Sequence, residues 1–155
     1  MGKRHLLGAA AVVTALAGQT ASASGDPVAA VKADLAKLQS DAATARATIV
    51  PAAQKVVSDA AAAKGSARAQ AIAVMKPDLM QLRSDLKAAR TQIWADRAQL
   101  RTDLAAAKGV NGARKELQPV VKSTRAAIWS DKTAIGSALK QARQAVKELR
   151  ASFKK

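Results

Sequence analysis

Apolar residues recur at alternating spacings of three and four along most of the chain, which places them on one side of an α-helix. Three such stripes occur, and each resembles one seam of a coiled coil. Their members are Val28, Val31, Leu35, Leu38, Ala42, Ala45 and Ile49; Leu79, Leu82, Leu86, Ala89, Ile93, Leu100 and Leu104; and Val121, Ile128, Ile135, Leu139, Ala142, Val146, Leu149 and Phe153. The pattern predicts an all-α protein.

Capping and turn residues divide these stripes into three long helices. Asp26-Pro27 is typical of a helix start, Lys64-Gly65-Ser66 of a glycine end followed by a serine cap, and Gly109 to Gly112 of a second turn. The sequence therefore predicts helices over 27–64, 66–108 and 113–153. Short turns favour an up-down-up antiparallel bundle.

Two features modify that bundle. Prolines inside helices bend or break them, so we expect kinks at Pro51, Pro77 and Pro119. Alanine fills much of each stripe and buries little area, so we expect a thin core and keep a partly open arrangement as an alternative.

The second stripe repeats the first at an offset of 44 residues without gaps. The matched positions include Lys32/Lys76, Asp34/Asp78, Ser40/Ser84, Asp41/Asp85, Arg46/Arg90, Ile49/Ile93 and Gly65/Gly109. A more diverged copy lies 35 residues later and contains Arg125, Ile128, Trp129 and Asp131. Agreement at Asp, Arg, Ile and Gly together predicts a duplicated helical unit of about 44 residues.

Charge is strongly biased and also segregated on the helices. The chain has 26 basic and 11 acidic residues, a formal charge of +15, which favours anionic partners such as nucleic acid, cell-wall polymers, anionic lipid or acidic proteins. On each predicted helix the acidic residues lie on one flank of the stripe and the basic residues on the other, with Lys37 and Lys55 as exceptions. Antiparallel neighbours bring like flanks together, whereas parallel neighbours pair acid with base.

Trp94 and Trp129 lie on the basic flanks and suggest a binding site if those flanks meet. Basic side chains around exposed rings bind polyanions by charge and stacking. The predicted polyanion-binding residues are Arg90, Trp94, Arg97, Arg101, Arg125, Trp129, Lys132 and Arg143. Their distances from the turn at 109–112 place the two tryptophans within one helical turn along the axis. Alternatively, both rings pack inward against the first helix under arginine stems.

The residue types present exclude most chemistry. There is no Cys or Tyr, and the one His is His5, so the usual nucleophile–base pairs and soft metal ligands are missing from the helical part. Asp34, Asp41 and Asp96 could attract a divalent cation, but their spacing matches no calcium loop, and we interpret them as charge on a solvated face. We expect no enzyme activity, no cofactor and no metal.

The first 23 residues have the pattern of a secretory signal peptide. Lys3-Arg4-His5 precedes an apolar run over 6–17, and Ala21-Ser22-Ala23 is a small-residue cleavage site. The run is shorter than the roughly 20 residues that a membrane span needs, so we expect no integral span. The sequence predicts a signal peptide over 1–23, a single helical domain over 24–155, and a periplasmic or extracellular location.

Three functions are compatible with this sequence. The first is an exported, non-enzymatic protein that binds an anionic polymer or envelope surface through a basic helix flank. The second is a small periplasmic chaperone or scaffold that binds protein clients through amphipathic helix faces, alone or as an oligomer. The chain is similar in size, charge and export signal to periplasmic chaperones of the Spy type, although it lacks their Leu-Thr-x-x-Gln signature. The third is reversible binding to anionic lipid.

Overall fold

The computed structural model describes residues 25–153, which form three α-helices and no strand within that range. The helices are α1 (Pro27–Ala62), α2 (Arg68–Ala107) and α3 (Ala113–Ser152). The predicted all-α fold is confirmed, and every helix end lies within two residues of its predicted position. The predicted signal peptide lies outside the described residues.

The helix ends follow the capping residues, with one correction. The Val28 N–H donates to Asp26 Oδ1 at 2.9 Å, as expected of an N-cap followed by proline. Gly65 has φ +89°, the left-handed backbone that favours glycine after a helix. The prediction that Ser66 caps α2 is wrong. Its hydroxyl donates back to the Ala63 carbonyl at 2.8 Å, and Ala67 takes the N-cap position without a side-chain bond.

Each helix continues without a break through its internal proline. Pro51, Pro77 and Pro119 are all exposed, so water can hydrate the carbonyl that loses its N–H partner at each site. Buried residues on both sides of each proline pack into the bundle and hold the helical path.

α1 is the central helix, because it packs along both α2 and α3 while α2 and α3 scarcely approach each other. Side-chain pairs fix the directions. Lys37 meets Asp96 and Lys55 meets Asp78, so α2 runs antiparallel to α1. Lys32 of α1 meets Glu116 of α3, and Arg46 meets Asp131, so the partner number rises along both helices and α1 and α3 are parallel. The bundle is up-down-up and open between α2 and α3.

The core is thin and divided into two apolar clusters. Half of the buried apolar residues are alanines. The larger cluster joins α1 from Ala45 onward to the first half of α2 and the last part of α3. The smaller cluster joins the start of α1 to the α2–α3 turn region. Between them, Asp96, Thr124 and Asp131 are buried and form what we call the polar layer.

Candidate anion-binding face

The acidic flanks of α1 and α2 meet along the seam between these antiparallel helices. The two lysines that break the charge pattern of α1 lie in this seam and neutralise part of it. Lys37 contacts Asp96 and donates to Asp41 at 2.8 Å, and its bonds to these two carboxylates raise the pKa of Lys37. Lys55 donates to Asp59 at 2.6 Å and to Asp78 at 2.8 Å. Each exceptional lysine therefore bridges one carboxylate from each helix.

Asp34, Asp85 and Asp103 have no lysine partner within the described range, and the pKa of Asp34 is shifted. Burial, together with the neighbouring Asp103 carboxyl group, raises the pKa of Asp34 to about 6. Asp34 Oδ2 is buried and has no hydrogen-bond partner. A proton shared between Asp34 and Asp103 would satisfy that oxygen, because a protonated carboxyl group donates to an ionised one.

The parallel seam between α1 and α3 pairs base with acid, as the direction of the helices requires. Arg46 donates to Asp131 Oδ1 at 3.2 Å, and Lys64 donates to Glu148 Oε2 at 3.2 Å. Lys32 contacts Glu116 at the opposite end of the seam. Together with Lys37 and Lys55 these pairs use every basic residue between positions 26 and 67.

The basic residues of α2 and α3, unlike those of α1, have no acidic partners among the described residues. From Arg68 to Arg150 all are exposed, and none forms an ion pair with any residue in the range 25–153. We call this surface the basic face. Its members are Arg68, Lys76, Arg83, Lys87, Arg90, Arg97, Arg101, Lys108, Arg114, Lys115, Lys122, Arg125, Lys132, Lys140, Arg143, Lys147 and Arg150.

The basic face is unpaired because the acids that could neutralise it are turned toward α1. Asp96 and Asp131 are buried, and Asp78 is half-buried at the α1–α2 seam. These carboxylates are bonded to Lys37, Arg46 and Lys55 of α1. The segregated flanks therefore produce a central helix whose charges are paired internally and an outer pair of helices with free positive charge.

Both tryptophans lie on this surface and are exposed, by 75% for Trp94 and 69% for Trp129. The alternative in which they pack inward is wrong. Trp94 lies beside Arg90 and Thr91 of its own helix. Tryptophan usually buries most of its ring, so two exposed rings among cations are a surface arrangement that a ligand would stabilise.

The two rings are somewhat farther apart along the axis than predicted. Gln92, close to Trp94, donates to Asp41 at 3.2 Å, while Asp131, close to Trp129, accepts from Arg46. These levels on α1 differ by about five residues, or ~8 Å. The predicted separation was at most one helical turn. That prediction assumed that α2 and α3 leave the loop at 109–112 symmetrically. Both rings lie at the level of the polar layer.

All eight residues of the predicted polyanion site are exposed on the basic face. The structure adds residues along the groove between α2 and α3. Arg83, Arg143, Lys147 and Arg150 line one end of this groove. Arg114, Lys122 and Arg125 line the other end, near the α2–α3 turn. Arg125 and Arg143 were predicted as site residues, and the other five were missed, although they lie on the same helical flank.

The remaining sequence expectations concern metals and membranes. In the part of the chain that the structure describes, no group of three His, Cys, Asp or Glu side chains is placed to hold a metal ion. The interpretation of Asp96 as solvated is wrong, since it is buried beside Lys37. None of the described helices is long and apolar enough to cross a membrane.

Comparison with known proteins adds no relative. No protein-family model, no curated protein and no solved structure matches this chain.

Proposed function

We propose that this protein is exported, has no enzymatic role, and binds an anionic polymer or surface through the basic face of α2 and α3. The observation that carries the proposal is the division of charge between the helices. Within the described residues, every cation on α1 has an acidic partner, and no cation on α2 or α3 has one.

A polymer with repeated negative charges suits such a surface better than a small anion does. Each cation that contacts a charged group of the polymer releases a condensed counterion, so affinity grows with the number of contacts and falls steeply with salt. The helices are about 60 Å long, which allows many contacts at once. Trp94 and Trp129 offer rings for stacking against bases, sugar rings or acyl groups.

Export is part of the proposal and rests on the sequence of the first 23 residues. We expect the exported protein to begin at Ser24, because Ala21-Ser22-Ala23 is the small-residue site at the right distance after the apolar run. N-terminal sequencing of the protein recovered outside the cytoplasm tests this. An exported, soluble product that retains Met1 would contradict it.

The binding test uses polyphosphate, a nucleic acid and anionic vesicles, each titrated at several salt concentrations. We expect log Kd to rise linearly with log salt concentration. The double variant Arg90→Glu/Arg125→Glu should weaken binding at least tenfold at low salt, because it replaces two favourable contacts by two repulsive ones. Comparison of the three ligands distinguishes a polymer from a lipid surface.

A matched control changes the net charge equally on the other side of the molecule. Ala33, Ser40, Ala47 and Gln54 are exposed on α1 and spaced by seven residues. Replacing all four by Glu lowers the net charge by four, as the double reversal does, and should weaken binding far less. Equal weakening by both variants would show that net charge alone attracts the ligand and would overturn the role of the basic face.

A further inference from the structure

The groove between α2 and α3 lies where a four-helix bundle would have its fourth helix. In a four-helix bundle each helix contacts two neighbours, and the diagonal pairs stay apart. Here α1 contacts α2 and α3, and these two scarcely approach each other. The three helices therefore occupy three corners of a square, and the fourth corner, opposite α1, is the groove.

The floor of the groove is apolar: Leu79, Leu86 and Leu139 line one end, and Leu104 and Val121 line the other. On α2 the residues Leu79, Leu86, Ile93 and Leu100 lie seven apart, and all are half-buried. On α3, Val121, Ile128 and Ile135 have the same spacing and exposure. Half-buried rows at this spacing form the holes into which the side chains of another helix insert. An acyl chain or a hydrophilic polymer presents no groups at a seven-residue repeat, so this spacing favours a helix as the ligand.

The walls of the groove are basic, with Arg83 and Arg143 at one end and Lys122 and Arg125 at the other. Lys76, Arg83, Arg90 and Arg97 follow one another at intervals of seven on α2. On α3, Arg125 and Lys132 flank the apolar row in the same way. These are the positions that form ion pairs between neighbouring helices of a coiled coil. A second copy of this chain would bring equal positive charge to the groove, so charge complementarity selects a different, acidic partner.

We infer that the groove binds an acidic amphipathic helix of another protein and that this helix completes a four-helix bundle. Apolar residues at its a and d positions fill the floor, and glutamates or aspartates at its flanking positions pair with the basic walls. This binding goes beyond the proposed polyanion function, because it requires the apolar floor as well as the charge. The bound helix covers the half-buried apolar side chains of the floor. Its acidic residues form ion pairs with cations that have no partner within the described residues.

The test compares two synthetic peptides of about four heptads, equal in composition and charge. One has leucine at a and d and glutamate at the flanking positions. In the other the leucines are moved to break the period. We expect the heptad peptide to bind at least about tenfold tighter than the scrambled one and to gain helical circular dichroism on binding. Its binding should also depend less on salt than that of polyphosphate.

Substitutions at two exposed apolar residues of α2 locate the peptide. Leu104 is 39% exposed and lines the groove, whereas Met80 is 59% exposed and lies outside the groove lining. We expect Leu104→Gln to weaken the heptad peptide several-fold and Met80→Gln to leave it unchanged. Because the chain has no cysteine, Leu104→Cys and Met80→Cys give single thiols. The peptide should slow alkylation of the first and not of the second, whatever the effect of glutamine on stability.

The outcomes separate this inference from the proposed function. Equal affinity for both peptides, or equal alkylation rates with and without peptide, would overturn the groove as a helix site and leave polyanion binding intact. Failure of polyphosphate, nucleic acid and vesicles to bind, with the heptad peptide bound as expected, would overturn the proposed function and leave the groove.

Discussion

Trp94 and Trp129 are the most exposed of the large apolar side chains in the described range. A buried tryptophan removes some 150–250 Å² from water, so leaving two in solvent forgoes a large stabilisation. The buried apolar residues of α1 near this level, Leu38, Ala42 and Ala45, are mostly small, and the polar layer lies beside them. At the scale of the residue, these two rings contribute little to the packing of the bundle.

Removing the rings should therefore leave stability almost unchanged. We expect Trp94→Ala and Trp129→Ala each to alter the free energy of unfolding by less than about 0.5 kcal/mol. Ile49→Ala, at a buried position of the larger cluster, should cost about 2–5 kcal/mol by leaving a cavity. Urea unfolding followed by circular dichroism measures all three. A loss of several kcal/mol at either tryptophan would mean that its ring is packed.

Asp34 should make stability depend on pH in the acidic range. Its pKa is raised to about 6 in the folded state, whereas an aspartate in the unfolded chain titrates near 3.9. Between these values the folded state holds a proton that the unfolded state has lost. The resulting stabilisation is fully present below about pH 4 and is lost as the pH rises through 6.

The variant Asp34→Asn isolates this effect. It removes the repulsion from Asp103, so we expect it to be more stable than the native protein by about 1 kcal/mol at pH 7, with little difference near pH 4.5. Thermal unfolding at a series of pH values tests this. Asp85→Asn, which removes the same charge from an aspartate outside the ion pairs, should retain the native slope between pH 5 and 7. A native slope in Asp34→Asn would contradict the assignment.

At the scale of the element, the two seams of α1 differ in what their ion pairs do. In the α1–α2 seam, Lys37 separates carboxylates that would otherwise face each other, and Asp96 among them is buried. In the α1–α3 seam, Lys64 and Glu148 are both about half exposed. Exposed pairs contribute little, whereas removing the partner of a buried charge is costly.

We therefore expect Lys37→Met to lower the free energy of unfolding by about 1–3 kcal/mol at pH 7. Lys64→Met should change it by less than about 0.5 kcal/mol. Both variants lose one positive charge and keep an apolar stem, so their comparison in urea unfolding removes the effect of net charge. Equal losses would show that position in the seam is irrelevant.

The elements were largely predictable from the sequence, because stripes and caps are local signals. Asp26-Pro27 and Gly65 mark two helix ends correctly. Ser66 donates to the Ala63 carbonyl of the preceding turn instead of accepting from an N–H of α2, and the residue type alone does not distinguish these two hydrogen bonds. Lys37 and Lys55 broke the charge pattern for a reason visible only when α2 lies beside α1. Exposure of the tryptophans likewise depends on the distance between α2 and α3, which no pattern within one helix encodes.

At the scale of the whole molecule, repulsion between unpaired positive charges destabilises a fold whose thin core contributes little stability. The cations of the basic face repel one another, and half of the buried apolar residues supply only a methyl group. The core is also interrupted by the polar layer, so the two apolar clusters do not form one continuous interior. Anions that neutralise the basic face should therefore stabilise the fold.

We expect the Tm to rise between 50 and 500 mM sodium chloride, because screening relieves repulsion on the basic face more than it weakens the ion pairs of α1. Polyphosphate at a hundred times its Kd should add about 2.7 kcal/mol to the free energy of unfolding at low salt. Differential scanning calorimetry measures both effects. A Tm that falls with salt would show that the ion pairs of α1 dominate the electrostatic stability.

The pairing of every α1 cation leaves the two sides of the rod electrically unequal. One long side is nearly neutral and the other carries the free positive charge, so the molecule has a dipole moment across its short axis. Beside a negatively charged plane, a rod of this kind, about 60 Å long, should turn its positive side toward the plane and lie flat on it. A molecule adsorbed in this way would cover the largest area it can and present α1, whose cations are all paired, to the solution.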